Sequence, residues 1–262
     1  MNDKPIRAQI VIFAKFPEAG AVKTRLVPRL TPEQAAELHM RSLLTTLDAV
    51  GNWAETADPP WNVTVAVSPD RAIDSFRKLL PAGLDLIGQG EGALGEKLRR
   101  VSDRMLQRDP VPLIFLGADS PTLPVSRLGD ALRALQTHDA VIGPSDDGGY
   151  YLIGLRRPLP ELFDRIDWST NRVAAQTRQR AASASIRLAE IDPWYDVDRW
   201  EDLRRVHDDM AADEPAAHSQ AGKLLDLVRD WLAGESCVAE GQSKSRIEAQ
   251  SDGTLEPKDE RA

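Results

Sequence analysis

The chain has 262 residues, 42% hydrophobic and 28% charged, a composition that supports a sizeable soluble core. A formal net charge of −8 and a pI near 5.1 argue against non-specific nucleic-acid binding and against an anionic membrane as partner, but not against a small anionic ligand held by local cations. No run approaches the ~18 consecutive apolar residues of a membrane span, no secretory signal pattern opens the chain, and the lone Cys237 excludes a disulfide framework or a cysteine-rich zinc site, so a cytoplasmic protein is expected.

Gln9 to Ala14 is a nearly continuous apolar run, as in a strand buried on both faces. Thr31-Pro32-Glu33-Gln34 then has the form of a helix start, with Thr as N-cap, Pro at the first helical position and Gln three after the cap. Leu38, Leu43, Leu44, Leu47 and Val50 continue that helix at helical spacing. Asn62 to Val67 alternates as a strand, Ser68-Pro69 opens a second helix to about Leu80, and Leu84 to Ile87 is a third strand. The pattern then predicts a helix over 94–108, a strand over 111–116, a helix over 125–136 and strands at 140–142 and from Tyr150. Helices at about 171–182, 199–210 and 222–232 complete the body, with a strand at about 186–191. Alternating strands and helices imply a mostly parallel sheet covered on both faces. Residues 1–233 are expected to form this domain, and the polar stretch 234–262 a disordered tail.

In such sheets ligands bind beyond the carboxyl ends of the strands. Four loops there have the right chemistry. Residues 15–26 carry Gly20, Lys23 and Arg25, a glycine turn and two cations that suit a diphosphate. Val22 stands where a P-loop demands Gly. Gly117-Ala118-Asp119-Ser120-Pro121 puts one carboxylate directly after a buried strand, as a hard divalent cation prefers, or as a carboxylate that bonds its own turn. Asp146-Asp147-Gly148-Gly149 reads by itself as a hairpin turn whose glycines also allow close approach to a ligand. Asp196-Val197-Asp198 offers a second metal carboxylate, or a helix N-cap at Asp198. The Gly90–Gly95 stretch matches G-x-G-x-x-G but lies in the third strand–helix unit, not the first, so a dinucleotide site is not expected. His39, His138, His207 and His218 lack metal-ligand spacing and are expected at the surface or half-buried. Trp168-Ser169-Thr170 suggests an aromatic platform or, more simply, a packed tryptophan.

Taken in order, Phe13-Ala14-Lys15-x-Pro17-x-x-Gly20-x-Val22-Lys23-Thr24-Arg25-Leu26, Gly117-Ala118-Asp119-Ser120-Pro121, Asp147-Gly148-Gly149-Tyr150-x-Leu152-Ile153-Gly154 and Asp196-Val197-Asp198 resemble a bacterial family of GT-A-type glycosyltransferase-like proteins. That family includes the glycosyltransferase proposed for arsenosugar biosynthesis and is distantly related to molybdopterin guanylyltransferase-type nucleotidyltransferases. The resemblance covers about residues 8–210. It implies an α/β GT-A fold, a three-layer sandwich that binds nucleotide-diphospho-sugars. It implies Mg2+ or Mn2+ held by Asp119 and Asp198, and nucleotide and phosphate contacts from Gly20, Lys23, Arg25, Gln89 and Gly95. The expected reaction is glycosyl transfer from a nucleotide sugar to a small acceptor, with Asp147 (or Asp146) as the base that deprotonates it. Pro121 stands where the second acid of an Asp-x-Asp signature would be. A nucleotidyltransferase acting on an NTP and a phosphorylated small molecule, or a non-catalytic nucleotide-binding module, therefore stand as alternatives.

Overall fold

The computed structural model describes residues 7–27, 29–57 and 60–234. Seven strands, β1 (Gln9–Lys15), β2 (Asn62–Ser68), β3 (Asp85–Gly88), β4 (Leu113–Gly117), β5 (Ala140–Pro144), β6 (Tyr150–Leu155) and β7 (Leu188–Glu190), form one sheet in the order 3-2-1-4-6-5-7. All neighbours are parallel except β6, which runs antiparallel to β4 and β5. The helices are α1 (Pro32–Glu55), α2 (Ile73–Leu79), α3 (Leu94–Arg108), α4 (Ser126–Thr137), α5 (Val173–Ser183), α6 (Trp200–Ala212) and α7, over 220–234. The fold is therefore the α/β sandwich expected. Residues 235–262, read from composition as a tail, lie outside the described residues, and no helix among the described residues is long and apolar enough to cross a membrane.

Strand alternation divides the core. Ile10, Ile12, Val65, Ile114 and Leu116 pack under α1, α2 and α4. Val11, Ala66, Leu113 and Phe115 face the other way, under α3 and α5. The capping box at the start of α1 is as the sequence predicts: the Thr31 hydroxyl accepts from Gln34 N and the Gln34 amide oxygen from Thr31 N. The Ser68–Pro69 segment opens as a short 3-10 turn over Asp70–Ala72 before α2 begins.

A third core lies off the sheet. Leu203, Val206 and Met210 of α6 and Leu224, Leu225 and Val228 of α7 enclose Leu26, Tyr195 and Val197. These last three belong to the loop after β1 and to the segment before α6. Burial of Leu26 and Val197 in one cluster brings together two loops far apart in sequence.

Candidate active site

The order 3-2-1-4 makes the gap between β1 and β4 a switch point: from β1 the chain passes to one side of the sheet, while β4 lies on the other. Ligands of α/β proteins collect beyond the carboxyl ends of strands at such a point. The loop after β1 is shaped by a turn in which Ala21 N donates to Glu18 O, with Gly20 at φ +80°. Lys23 follows with φ 49°, a left-handed conformation uncommon for a side-chain-bearing residue. That backbone turns its side chain inward, where it is only 3% exposed.

The Lys23 ammonium binds Asp119 Oδ1 at 2.5 Å, Val197 O at 2.6 Å and Asp198 Oδ1 at 3.3 Å. Three partners match its three N–H donors. Val197 N donates in turn to Asp119 O at 2.8 Å, so the segment before α6 is strapped to the turn after β4 by backbone as well as by charge. Arg25, exposed, reaches the other Asp198 oxygen at 3.3 Å. Asp119 and Asp198, placed together on the sequence pattern, thus do meet, around an ammonium. Asp119 Oδ1 is fully buried, whereas the side chain as a whole is 43% exposed, so its outer oxygen faces solvent.

The electrostatics follow from this packing. Burial is the largest single influence on both Lys23 and Asp119 and opposes their charge, but the partners together outweigh it: Asp119 with Asp198 for Lys23, and Lys23 with His39 for Asp119. The Lys23 pKa is raised and the Asp119 carboxyl is held far below the usual carboxylate range. Asp196 goes the other way, pushed up to about 6 by burial against a donating Ser120 hydroxyl, and further by the charges of Asp119 and Asp147.

His39 corrects the sequence reading. It is buried, not half-exposed: Nε2 donates to Lys15 O at 3.0 Å, and Nδ1 faces Asp119 Oδ1 at 3.6 Å. Placed between Leu38 and Met40 on an amphipathic helix, it gave no signal of its own. Asp198 does not cap α6. Asp202 does so, its carboxylate accepting from Asp198 N and Arg199 N, which leaves the Asp198 side chain to the lysine.

The other candidate residues have local partners of their own. Asp147 is at the tip of the β5–β6 hairpin, where Oδ1 accepts from Ser145 Oγ at 2.6 Å and Gly149 N at 2.9 Å. Asp146 pairs with Arg205. Gln89 is buried, and its amide nitrogen donates to Ala66 O at 2.8 Å, tying β3's end to β2. Gly95 is a packing glycine: a Cβ there would come within 2.4 Å of the Trp168 indole nitrogen. Trp168 is accordingly the packed tryptophan, edge-on to Tyr150.

Residues 53–170 match the sequence model of a family described as an uncharacterized protein conserved in bacteria, DUF2064. Among solved structures, the chain is similar to a proposed nucleotide-diphospho-sugar transferase from Desulfovibrio desulfuricans G20, with 27% identity, a TM-score of 0.74, and coverage of 86% of this chain and 97% of that one. It also resembles the bifunctional IspDF of Campylobacter jejuni, with 12% identity, a TM-score of 0.51, and coverage of 76% and 54%. A 4-diphosphocytidyl-2C-methyl-D-erythritol synthase from Anaerococcus prevotii DSM 20548 gives 11% identity, a TM-score of 0.50, and coverage of 80% and 97%. At those identities the last two show the fold alone. No curated protein matches the sequence. Residues 53–170 thus carry the DUF2064 pattern, on a fold shared with the proposed nucleotide-diphospho-sugar transferase from Desulfovibrio desulfuricans G20.

Proposed function

We propose that this chain is a transferase that breaks a nucleotide-diphospho-sugar and passes the glycosyl group to a small hydroxyl acceptor. One observation carries the reading: Lys23 gathers Asp119 and Asp198 at the switch point between β1 and β4. The similarity to the Desulfovibrio protein supports it.

The donors fit Mg2+ or Mn2+. Hard cations take oxygen ligands, and Mg2+ in particular binds through one or two carboxylates, with substrate phosphates and water completing its shell. Among the described residues no group of three His, Cys, Asp or Glu forms a protein-only cage. The outer oxygen of Asp119, with Asp198, would hold such an ion. When bound, it would supply Lewis-acid neutralisation of charge on the departing diphosphate.

The chain's own residues do the rest. Lys23 holds both carboxylates in place before any ligand arrives. Arg25, whose one ion pair among the described residues is an exposed 3.3 Å contact, exchanges its carboxylate for a phosphate oxygen. The sugar–diphosphate bond breaks, the acceptor oxygen bonds to the sugar carbon, and the acceptor proton passes to the outward oxygen of Asp147. Its other oxygen is fixed by Ser145 and Gly149.

Pro121, in place of a second acid, favours nucleotidyl transfer from an NTP as the second reading. The products separate the two. Incubation with nucleotide sugars and Mn2+ is expected to release nucleoside diphosphate. Release of pyrophosphate from an NTP would instead support nucleotidyl transfer. Asp119→Asn is expected to lower metal-dependent turnover by at least about 100-fold, measured at a temperature where circular dichroism shows the variant folded. Unchanged turnover in that variant would remove Asp119 from the site.

A further inference from the structure

The carboxyl ends of β2, β1 and β4 form a row on the face that α3 covers. Ala66, Phe13 and Gly117 are paired across these three strands. Ser68, the last residue of β2, lies two residues beyond Ala66 and returns to the same face, whereas Asp119 lies past the end of β4, in the turn where its Oδ1 meets Lys23 and faces His39 of α1. Two inter-strand spacings, about 10 Å, separate β2 from β4. Between them the floor is open: a Cβ on Gly117 would meet nothing nearer than Asp119 N at 3.9 Å.

Lys97, in the first turn of α3, reaches over this edge and donates to Ser68 Oγ at 3.0 Å. It is half-buried, and among the described residues its ammonium has that one neutral partner. Lys23, by contrast, uses all three donors inside the protein. Two N–H groups of Lys97 are therefore uncommitted at the carboxyl end of β2. The loop leading to α3 is held firmly. Gly90 N donates to Asp70 Oδ1 at 2.8 Å, and Arg100 donates to Gln89 O at 2.7 Å and Glu91 O at 3.0 Å.

We propose that Lys97, steadied by Ser68, reads the base of the bound nucleotide and selects a keto oxygen at pyrimidine C4 or purine C6, that is, uracil or guanine. The inference rests on a nucleoside diphosphate as the ligand, with its diphosphate at Asp119 and Asp198. Ribose and base then span roughly the gap to Ser68. An ammonium only donates hydrogen bonds. Uracil and guanine present an acceptor at that position, whereas cytosine and adenine present an amino donor.

Calorimetric titration with Mn2+ present tests this, using pyrophosphate, UDP, GDP, CDP and ADP against the wild type, Lys97→Met and Lys97→Gln. The wild type is expected to bind UDP about tenfold more tightly than CDP, or GDP about tenfold more tightly than ADP. Which of the two pairs shows the effect tells pyrimidine from purine. In Lys97→Met the preference is expected to shrink to within about threefold, with pyrophosphate affinity unchanged. A glutamine amide both donates and accepts, so Lys97→Gln is expected to keep binding but lose discrimination, even where the methionine variant folds poorly. Pyrophosphate binding without base preference, a preference for the amino bases, or a preference that survives both substitutions overturns the role of Lys97 and leaves the diphosphate site standing. If neither pyrophosphate nor any nucleotide binds the wild type, both proposals fall.

Discussion

A lysine ammonium has three N–H donors, and Lys23 spends all of them on Asp119, Asp198 and the Val197 carbonyl. Its removal leaves two carboxylates facing each other without a cation. Breaking a fully buried pair costs about 3–5 kcal/mol, and the partial exposure of both acids reduces this. Lys23→Met is therefore expected to lower the unfolding free energy by about 1–3 kcal/mol, measured by urea denaturation at pH 7. A loss below experimental error would show that the acids tolerate each other without the lysine. At this scale residue type and loop position picked out the loops carrying Lys23, Arg25, Asp119 and Asp198, and the family resemblance alone assigned them to one site. The sequence did not show that the lysine points inward, because that depends on a left-handed backbone at Lys23 itself. Nor did it find His39, whose spacing on α1 is that of an ordinary core position.

Elements were more legible. The start of α1 and the whole of α3 follow from capping and periodicity, and β1, β2 and β4 from apolar runs. The β5–β6 hairpin follows from Asp147-Gly148, where φ is +89° and an added Cβ would lie 2.2 Å from the Asn171 carbonyl oxygen. The short edge strand β7, expected at about 186–191, forms over Leu188–Glu190 and joins β5 next to Asp139. The Asp139 carboxylate accepts from the Arg187 backbone N–H at 3.0 Å and from its guanidinium at 3.3 Å. The backbone bond, then the side-chain bond, hold its pKa below the ordinary value of 3.8. A depressed carboxyl stabilises the fold above its unfolded pKa, and that contribution is lost as pH falls through the folded one. Wild type is therefore expected to exceed Asp139→Asn by about 0.5–1.5 kcal/mol at pH 7. Denaturation at a series of pH values should show the gap narrowing below about pH 4. A constant gap down to pH 2 would contradict the assignment.

For the whole molecule, the third core decides whether there is a site at all. Leu203 is fully buried among residues from the loop after β1, the segment before α6, and α7. Leu203→Ala is expected to cost about 2–5 kcal/mol. It is also expected to weaken pyrophosphate binding in the presence of Mn2+, because the loops carrying Lys23 and Asp198 share that cluster. Lost stability with undiminished affinity, measured by calorimetry at 15 °C, would mean that the two loops are held together by the Lys23 contacts alone.

The amino-acid sequence by itself determined the α/β architecture, the strands' two-sided burial and the loops that hold acids and cations. Each is written in short-range patterns of apolar, capping and turn residues that the local backbone must obey. Only the tertiary structure decided which atoms meet. The inward turn of Lys23, the approach of His39 to Asp119, the capping of α6 by Asp202 and the uncommitted donors of Lys97 all arise from packing between segments distant along the chain. No local rule encodes that packing.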